Sequence, residues 1–70
     1  MESLTLGGRV IGARRSRKMT QVELAAKAGL TPSAVSQIEN DLRSPMLETA
    51  KALAEALGVS MDYLVYGEGR

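Results

Sequence analysis

The sequence predicts a compact all-α domain of five short helices. Its 70 residues include nine alanines, nine leucines and four methionines, all of which favour helix. Strand-forming aromatic residues are few, because there are two tyrosines and neither phenylalanine nor tryptophan. Residues typical of helix starts and ends recur along the chain and divide it into five segments. A chain of this length has material for a single hydrophobic core, which excludes a second domain within it.

Helix 1 is predicted from Leu6 to Arg17. Val10 and Ala13 follow Leu6 at intervals of four and three residues, so the three side chains share one apolar face. Three glycines in this stretch each lower its intrinsic helix propensity by up to about 1 kcal/mol relative to alanine. Packing against the rest of the domain must therefore hold helix 1.

Helix 2 opens with a capping box. The Thr20 hydroxyl and the Glu23 carboxylate are spaced so that each accepts a hydrogen bond from an otherwise unsatisfied backbone amide. The helix is predicted to end at Ala28, because Gly29 supplies the left-handed residue that follows a last helical turn.

Helix 3 is predicted from Pro32, at the first helical position, to about Asn40, with Thr31 as its N-cap. Only three residues join it to helix 2, so the two helices cross at a steep angle of roughly 90 to 120°. The crossing needs a small residue, for which Ala25 is suited. The core around it is expected to contain Met19, Leu24, Ala28, Leu30, Val35 and Ile38. The other face of helix 3 carries short polar groups, namely Ser33, Ser36, Gln37 and Asn40.

The last two helices follow a second proline. Helix 4 is predicted with Ser44 as its N-cap and Pro45 at its first helical position, and it ends before Gly58. Its inner stripe is expected to be aliphatic throughout: Leu47, Ala50, Leu53, Ala54 and Leu57. Helix 5 is predicted from Met61 to about Tyr66.

The chain is organised as one domain without linkers or internal repeats. The domain is expected to span residues 6–66, with a helix-turn-helix unit at residues 21–40. Residues 1–5 are expected to be a flexible N-terminus and residues 67–70 a frayed C-terminus.

The net charge of +1 is the sum of two unlike halves. Residues 1–43 contain seven Lys or Arg and four Asp or Glu, a charge of +3, whereas residues 44–70 contain two and four, a charge of −2. Five cations follow one another without an intervening acid: Arg9, Arg14, Arg15, Arg17 and Lys18. Such a stretch is typical of a nucleic-acid-binding surface and also of a solvated helix face, and charge alone does not decide between them.

The composition excludes several classes of function. Without cysteine or histidine, the chain has no disulfide, no thiolate or imidazole metal ligand, and no Cys or Ser-His-Asp nucleophile system. An enzyme is therefore not expected. No stretch approaches the roughly 20 apolar residues of a membrane span, and the N-terminus lacks a signal-type apolar segment, so we expect a cytoplasmic protein.

Many of these residues also fall at the spacing of a known family. They are Thr20, Gln21, Leu24, Ala25, Gly29, Val35, residues 36–40, Pro45, Leu53, Ala54 and residues 57–60. With them the chain resembles the helix-turn-helix domain of the Cro and phage-repressor (XRE-type) family from Leu6 to Tyr66. The resemblance implies a lambda-repressor-like fold and a sequence-specific DNA-binding transcription regulator, most often a repressor. It implies no cofactor and no metal.

The resemblance assigns base reading to helix 3, whose N-terminal part is expected to lie against base edges in the major groove. Ser33 and Gln37 match base-reading positions, and Ser36 is expected at the edge of the groove. Pro32 stands where related repressors often carry a polar base-contacting residue, and it offers only apolar contact. One bidentate contact from Gln37 to adenine is worth about 1–3 kcal/mol of discrimination.

Phosphate contacts are expected at the amino end of helix 2 and in the loop after helix 3. The candidates are Arg17, Lys18, Gln21, Thr31, Asn40 and Arg43. Arg14 and Glu39 match an ion pair of the family and are expected to be structural. The alternative for Gln21 is a neighbour of the helix cap, and for Ser36 and Gln37 it is an ordinary solvent-facing position.

One short helix reads only about three to five base pairs, so useful specificity requires two half-sites roughly 34 Å apart and a homodimer on an inverted repeat. The candidate dimer surface comprises Leu42, Met46, Val59, Tyr63, Val65 and Tyr66. Two alternatives stay open. In the first, the chain is an antitoxin-type module that binds a protein partner and its own promoter. In the second, it is the DNA-binding domain of a longer repressor.

Overall fold

The structure, a computed structural model, describes residues 5–68, and this part of the chain consists of five α-helices and their connections. The helices are α1 (Leu6–Ser16), α2 (Gln21–Ala28), α3 (Pro32–Glu39), α4 (Leu47–Leu57) and α5 (Met61–Tyr66). Their number and order confirm the predicted all-α class. None of the helices within residues 5–68 has the length and apolar character to cross a membrane.

Most helix ends carry the predicted signals. Both hydrogen bonds of the capping box between Thr20 and Glu23 are present, with distances of 2.8 and 3.0 Å. The hydroxyl of Thr31 accepts a hydrogen bond from the amide three residues further on, at 3.1 Å. Gly29 and Gly58 end α2 and α4 in the left-handed conformation, with φ of 71° and 69°. The local sequence signals therefore predicted these helix ends correctly.

The predicted start of α4 is wrong. The helix begins at Leu47 with Met46 as its N-cap, so Ser44 and Pro45 lie before it and the serine does not cap it. The physical reason is the path of the chain, because residues 43–46 run beside α3 and line a cavity of about 140 Å³ with Leu30, Ala34 and Ile38.

Leu47 is the second correction in this region. It was expected in the inner stripe of the helix, but it is 75% exposed. As the first residue of α4 it lies beyond the helices against which the rest of α4 packs. The rest of the predicted stripe is buried, namely Ala50, Leu53, Ala54 and Leu57.

All five helices contribute to one hydrophobic core. The fully buried large side chains are Val10, Leu24, Val35, Ile38, Leu53, Leu57 and Leu64. Partly buried side chains pack around them, including Leu6, Met19, Ala28 and Leu30. Each fully buried side chain of this size stabilises the fold by about 1.5–3 kcal/mol. The seam between α2 and α3 is thus continuous with the core of the whole domain.

Arg9 is not part of a basic surface, contrary to its place in the predicted cationic stretch. Its side chain is buried, and its guanidinium Nε and Nη2 donate to the carbonyl oxygens of Leu64 and Val65, both at 2.9 Å. These carbonyls lie in the last turn of α5, where a positive charge is favourable. Arg9 therefore joins α1 to α5 instead of facing a partner.

Three residues expected in mobile termini are held by hydrogen bonds, one of them Gly67, whose amide donates to the carbonyl oxygen of Tyr63 at 2.8 Å. Thr5 is the N-cap of α1, and its hydroxyl accepts from the amide of Gly8 at 3.0 Å. The amide of Glu68 donates to the carbonyl oxygen of Asp62 at 3.3 Å. The remaining terminal residues of that expectation, 1–4 and 69–70, lie outside the described part of the chain.

Gly7 lies where α1 comes close to the backbone at the end of α3. A Cβ atom at this position would stand 2.5 Å from the carbonyl oxygen of Ile38 and 2.6 Å from that of Glu39. Both are backbone atoms at the end of α3, which cannot move aside cheaply. Gly12, one and a half turns further along α1, has nothing within 4 Å of its ideal Cβ position.

The two glycines are therefore expected to respond oppositely to alanine. Gly7→Ala should lower the free energy of unfolding by about 1–3 kcal/mol, because the new methyl group overlaps the carbonyls of α3. Gly12→Ala should raise it by about 0.5–1 kcal/mol through helix propensity alone. Urea denaturation followed by circular dichroism measures both, and equal effects of the two substitutions would contradict the close approach at Gly7.

Candidate nucleic-acid interface

Two hydrogen bonds to one carbonyl oxygen form the turn between α2 and α3. The amides of Gly29 and Leu30 both donate to the carbonyl oxygen of Ala25, which closes α2 and redirects the chain. Ala25 is only 1% exposed, so its small side chain lies inside the angle between the helices. This turn fixes which face of α3 points away from the core.

The outward face of α3 is polar and accessible. Pro32, Ser33 and Gln37 are exposed and Ser36 is half-buried, so the four predicted base-reading residues lie on the outer side of α3. The opposite face is buried and consists of Ala34, Val35, Ile38 and Glu39. Ser33 and Gln37 are four residues apart and are neighbours on the helix surface. Together they present hydroxyl and amide groups to anything that approaches this face.

Glu39 joins three helices through its carboxylate. Its Oε2 accepts from Arg14 Nε at 2.6 Å and its Oε1 accepts from Arg14 Nη2 at 3.2 Å and from Gln21 Nε2 at 2.9 Å. Arg14 also donates through Nη1 to the carbonyl oxygen of Met19 at 2.9 Å. The side chains of Arg14 and Glu39 are only 12% and 3% exposed. The predicted ion pair is thus present, and neutral Gln21 adds a hydrogen bond to its carboxylate.

The amino end of α2 is a candidate anion site. An open groove there is lined by Arg14, Arg15, Lys18, Met19, Thr20, Gln21 and Val22. The first amides of a helix lack intrahelical acceptors, and the helix dipole favours an anion beside them. The side-chain nitrogen of Gln21 carries two hydrogens, of which the bond to Glu39 uses one, so it can still donate to a phosphate. The backbone of Lys18 is left-handed, with φ of 54°, and its side chain is exposed.

The loop after α3 is the second candidate anion site. Asn40 is the C-cap of α3, and its side-chain nitrogen donates to the carbonyl oxygen of Ser36 at 2.9 Å. Arg43 is exposed beside it. Thr31 is a candidate at the opposite, amino end of α3. Its hydroxyl accepts the N-cap hydrogen bond of α3 and keeps its own hydrogen for donation. The phosphate roles of these residues stay predictions.

Arg17 lies at a different place from the other candidate cations. Its Nη1 donates to the carbonyl oxygen of Ala13 at 3.2 Å, and its Nη2 lies 3.5 Å from that of Gly58. The guanidinium is therefore engaged with the carboxyl ends of α1 and α4. Its predicted phosphate contact would require the side chain to leave these carbonyls.

The predicted dimer surface is only partly exposed. Leu42, Met46 and Tyr66 are 78%, 79% and 72% exposed, whereas Tyr63 and Val65 are half-buried. Val59 packs against the core and offers less surface than expected. Leu47, which was expected inside, adds a large exposed apolar side chain next to Met46.

Asp41 is the residue of this region that sequence reasoning missed. It has a left-handed backbone, with φ of 59°, and its carboxylate Oδ1 accepts from the amide of Gly7 at 3.1 Å. The one local signal is the Asn40-Asp41 pair directly after a helix, since Asn and Asp tolerate left-handed backbone better than other non-glycine residues. The hydrogen bond with Gly7 has no local signal.

Comparison with known proteins gives matches along most of the chain. A sequence model of the family described as helix-turn-helix matches residues 12–64. An immunity repressor protein of Bacillus phage phi105 is 44% identical over 62 residues, which cover 89% of this chain and 43% of the phage protein. The chain thus spans less than half the length of this relative.

Two of the similar solved structures contain DNA. The P22 c2 repressor of Salmonella phage P22, in complex with a synthetic operator, has a TM-score of 0.90 and 33% identity over 94% of this chain and 100% of that chain. SinR of Bacillus subtilis in complex with DNA has a TM-score of 0.81 and 31% identity over 86% of this chain and 97% of that chain. SinR is also known in a complex with the SinI protein.

The contributions of Arg14 and Glu39 to stability are expected to depend strongly on each other. Arg14→Leu and Glu39→Leu should each lower the free energy of unfolding by about 3 kcal/mol, because each leaves a nearly buried charge without its partner. The double variant should lose clearly less than the sum of the two. Arg15→Leu, which alters an exposed neighbour, is the control and should change the value by less than about 0.5 kcal/mol. Additive losses in urea denaturation would show that the two side chains do not depend on each other.

Proposed function

Because this chain belongs to the Cro and phage-repressor family of helix-turn-helix proteins, we propose that it is a DNA-binding transcription regulator of the repressor type. In this proposal α3 lies in the major groove of an operator and reads base edges. The regulator acts in the cytoplasm and performs no catalysis. The P22 c2 repressor and SinR, both similar in fold and sequence, have each been solved with DNA, which supports the proposal.

The observation that carries the proposal is the accessible polar face of α3. Ser33 and Gln37 project from a helix whose other side is locked in the core, and candidate anion sites lie at the amino end of α2 and in the loop after α3. In DNA recognition, contacts to phosphates set register and orientation, while contacts to base edges specify sequence. The arrangement supplies both kinds of group at neighbouring positions.

We further propose that two copies bind an inverted repeat. The exposed apolar side chains of Leu42, Met46 and Leu47 lie in or just after the loop beside the candidate interface, where two copies on adjacent half-sites would meet. The patch is small, so the free dimer should be weak and become stable only on DNA. A tight dimer without DNA would contradict this part of the proposal.

A protein partner is a second candidate for the same apolar patch. SinR, whose DNA-binding fold is similar to this chain, forms a complex with the SinI protein. The half of the chain that follows Arg43 has a charge of −2 and differs from the basic half that carries α3. A protein partner that contacts Met46 and Leu47, on this half of the chain, would leave α3 accessible to DNA, so the two functions are compatible.

Substitutions are expected to separate base reading from phosphate binding. Gln37→Ala should relax the preference at one base-pair position and leave binding to unrelated sequences unchanged. Arg43→Ala should weaken binding to all sequences alike and reduce the slope of log affinity against log salt by about 0.9 for each phosphate that the variant no longer neutralises. Fluorescence anisotropy with a panel of labelled duplexes, at several salt concentrations, measures both.

Lys51→Ala is the control for charge, because Lys51 is an exposed cation on α4, outside both candidate anion sites. It should leave affinity and salt dependence close to those of the wild type. Equal effects of Gln37→Ala and Arg43→Ala would contradict the division of roles. A wild-type protein that fails to bind any duplex at low salt would overturn the proposed function itself.

A further inference from the structure

We propose that Asp41 is a positioning residue for DNA binding, which ties the loop after α3 (residues 40–43) to the amino end of α1. The inference rests on the proposed function, because this loop carries the candidate phosphate ligands Asn40 and Arg43. No base or phosphate contact is assigned to Asp41 itself. Its role is to keep the loop in one arrangement before DNA arrives.

The end of α3 has the hydrogen bonds of a Schellman motif. Asn40 is the C-cap, the amide of Asp41 donates to the carbonyl oxygen of Ile38 at 3.1 Å, and the amide of Leu42 donates to that of Gln37 at 2.9 Å. In this motif the residue after the C-cap adopts a left-handed backbone and is usually glycine. Asp41 occupies that position with φ of 59°. Backbone geometry alone would therefore favour glycine here.

The side chain of Asp41 supplies a hydrogen-bond acceptor, which glycine lacks. Its Oδ1 accepts a hydrogen bond from the amide of Gly7 at 3.1 Å, across 34 residues of sequence. Gly7 lies in the first turn of α1, where backbone amides have no intrahelical acceptor. Asp41 thus caps α1 from the loop after α3, and the same hydrogen bond fixes the loop on α1.

The carboxylate of Asp41 lies where its repulsion of an anionic ligand is reduced. The amino end of a helix carries a partial positive charge, which compensates the carboxylate that lies against it. The approach is close, since a Cβ on Gly7 would stand 2.7 Å from Oδ1 of Asp41. A carboxylate released from this position would be free to move toward the phosphates that Asn40 and Arg43 are proposed to bind.

Two variants of equal net charge test the hydrogen bond between Asp41 and the amide of Gly7. Asp41→Gly keeps the left-handed backbone but removes the acceptor, whereas Asp41→Asn keeps an acceptor oxygen and tolerates the same backbone. Asp41→Gly should lower DNA affinity about fivefold, the equivalent of removing one ordinary hydrogen bond from the organised loop. Asp41→Asn should stay within about twofold of the wild type, because the neutral oxygen still binds the Gly7 amide.

Two further readouts separate positioning from stability. The melting temperature of Asp41→Gly should stay close to that of the wild type, because relief of the left-handed strain offsets the missing hydrogen bond. Hydrogen exchange at the amide of Gly7 should accelerate in Asp41→Gly and remain slow in Asp41→Asn. Ser44→Gly, an exposed change just beyond the same loop, is the control and should leave affinity unchanged.

The outcomes distinguish this inference from the proposed function. Full affinity in Asp41→Gly would overturn the positioning role while leaving DNA binding intact. Equal losses in Asp41→Gly and Asp41→Asn would also overturn it, since the two variants differ in the acceptor and not in net charge. If the wild type binds no DNA, the proposed function fails and the positioning role fails with it.

Discussion

The hydrogen bonds that meet at the Glu39 carboxylate are the constraint on which the arrangement of the first three helices depends. Arg14 of α1 and Gln21 of α2 both donate to this side chain of α3. A nearly buried carboxylate is tolerable only when charge and hydrogen bonds compensate it, so these helices must keep the positions that bring the donors together. The hydrophobic seam specifies that α3 packs against α2, and Glu39 specifies where along the seam it lies.

Helix α1 supports the fold at three separate points. It meets the carboxyl end of α3 at Gly7, the Glu39 carboxylate at Arg14, and the carbonyls of α5 at Arg9. Its sequence is poor in helix propensity, and these contacts compensate for that weakness. A domain of 70 residues buries a smaller fraction of its surface on folding than a larger domain does, so each of these polar contacts is a considerable part of its stability. Helix α1 thus helps to hold the polar face of α3 in place, although it does not carry that face.

Sequence alone predicted the features whose causes are local. The capping box at Thr20 and the left-handed Gly29 define α2, and the short turn that follows determines how α3 crosses it. The features that it missed join residues far apart in the chain. Arg9 meets Leu64 across 55 residues, and Gly7 meets Asp41 across 34, so no local pattern marks either contact. Ser44 and Pro45 form a strong but misleading helix-start signal, because that segment runs beside α3, where it lines a cavity, and α4 begins only at Leu47.

Selection of bound duplexes from a random DNA library at about 0.15 M salt, followed by sequencing, tests whether α3 reads DNA as one half of a symmetric pair. Enrichment of an inverted repeat, with half-site centres about one helical turn or 34 Å apart, is the predicted result. Selection without any enriched sequence, accompanied only by weak and salt-sensitive binding, would contradict base reading by α3. It would assign this surface to nonspecific contact with phosphates.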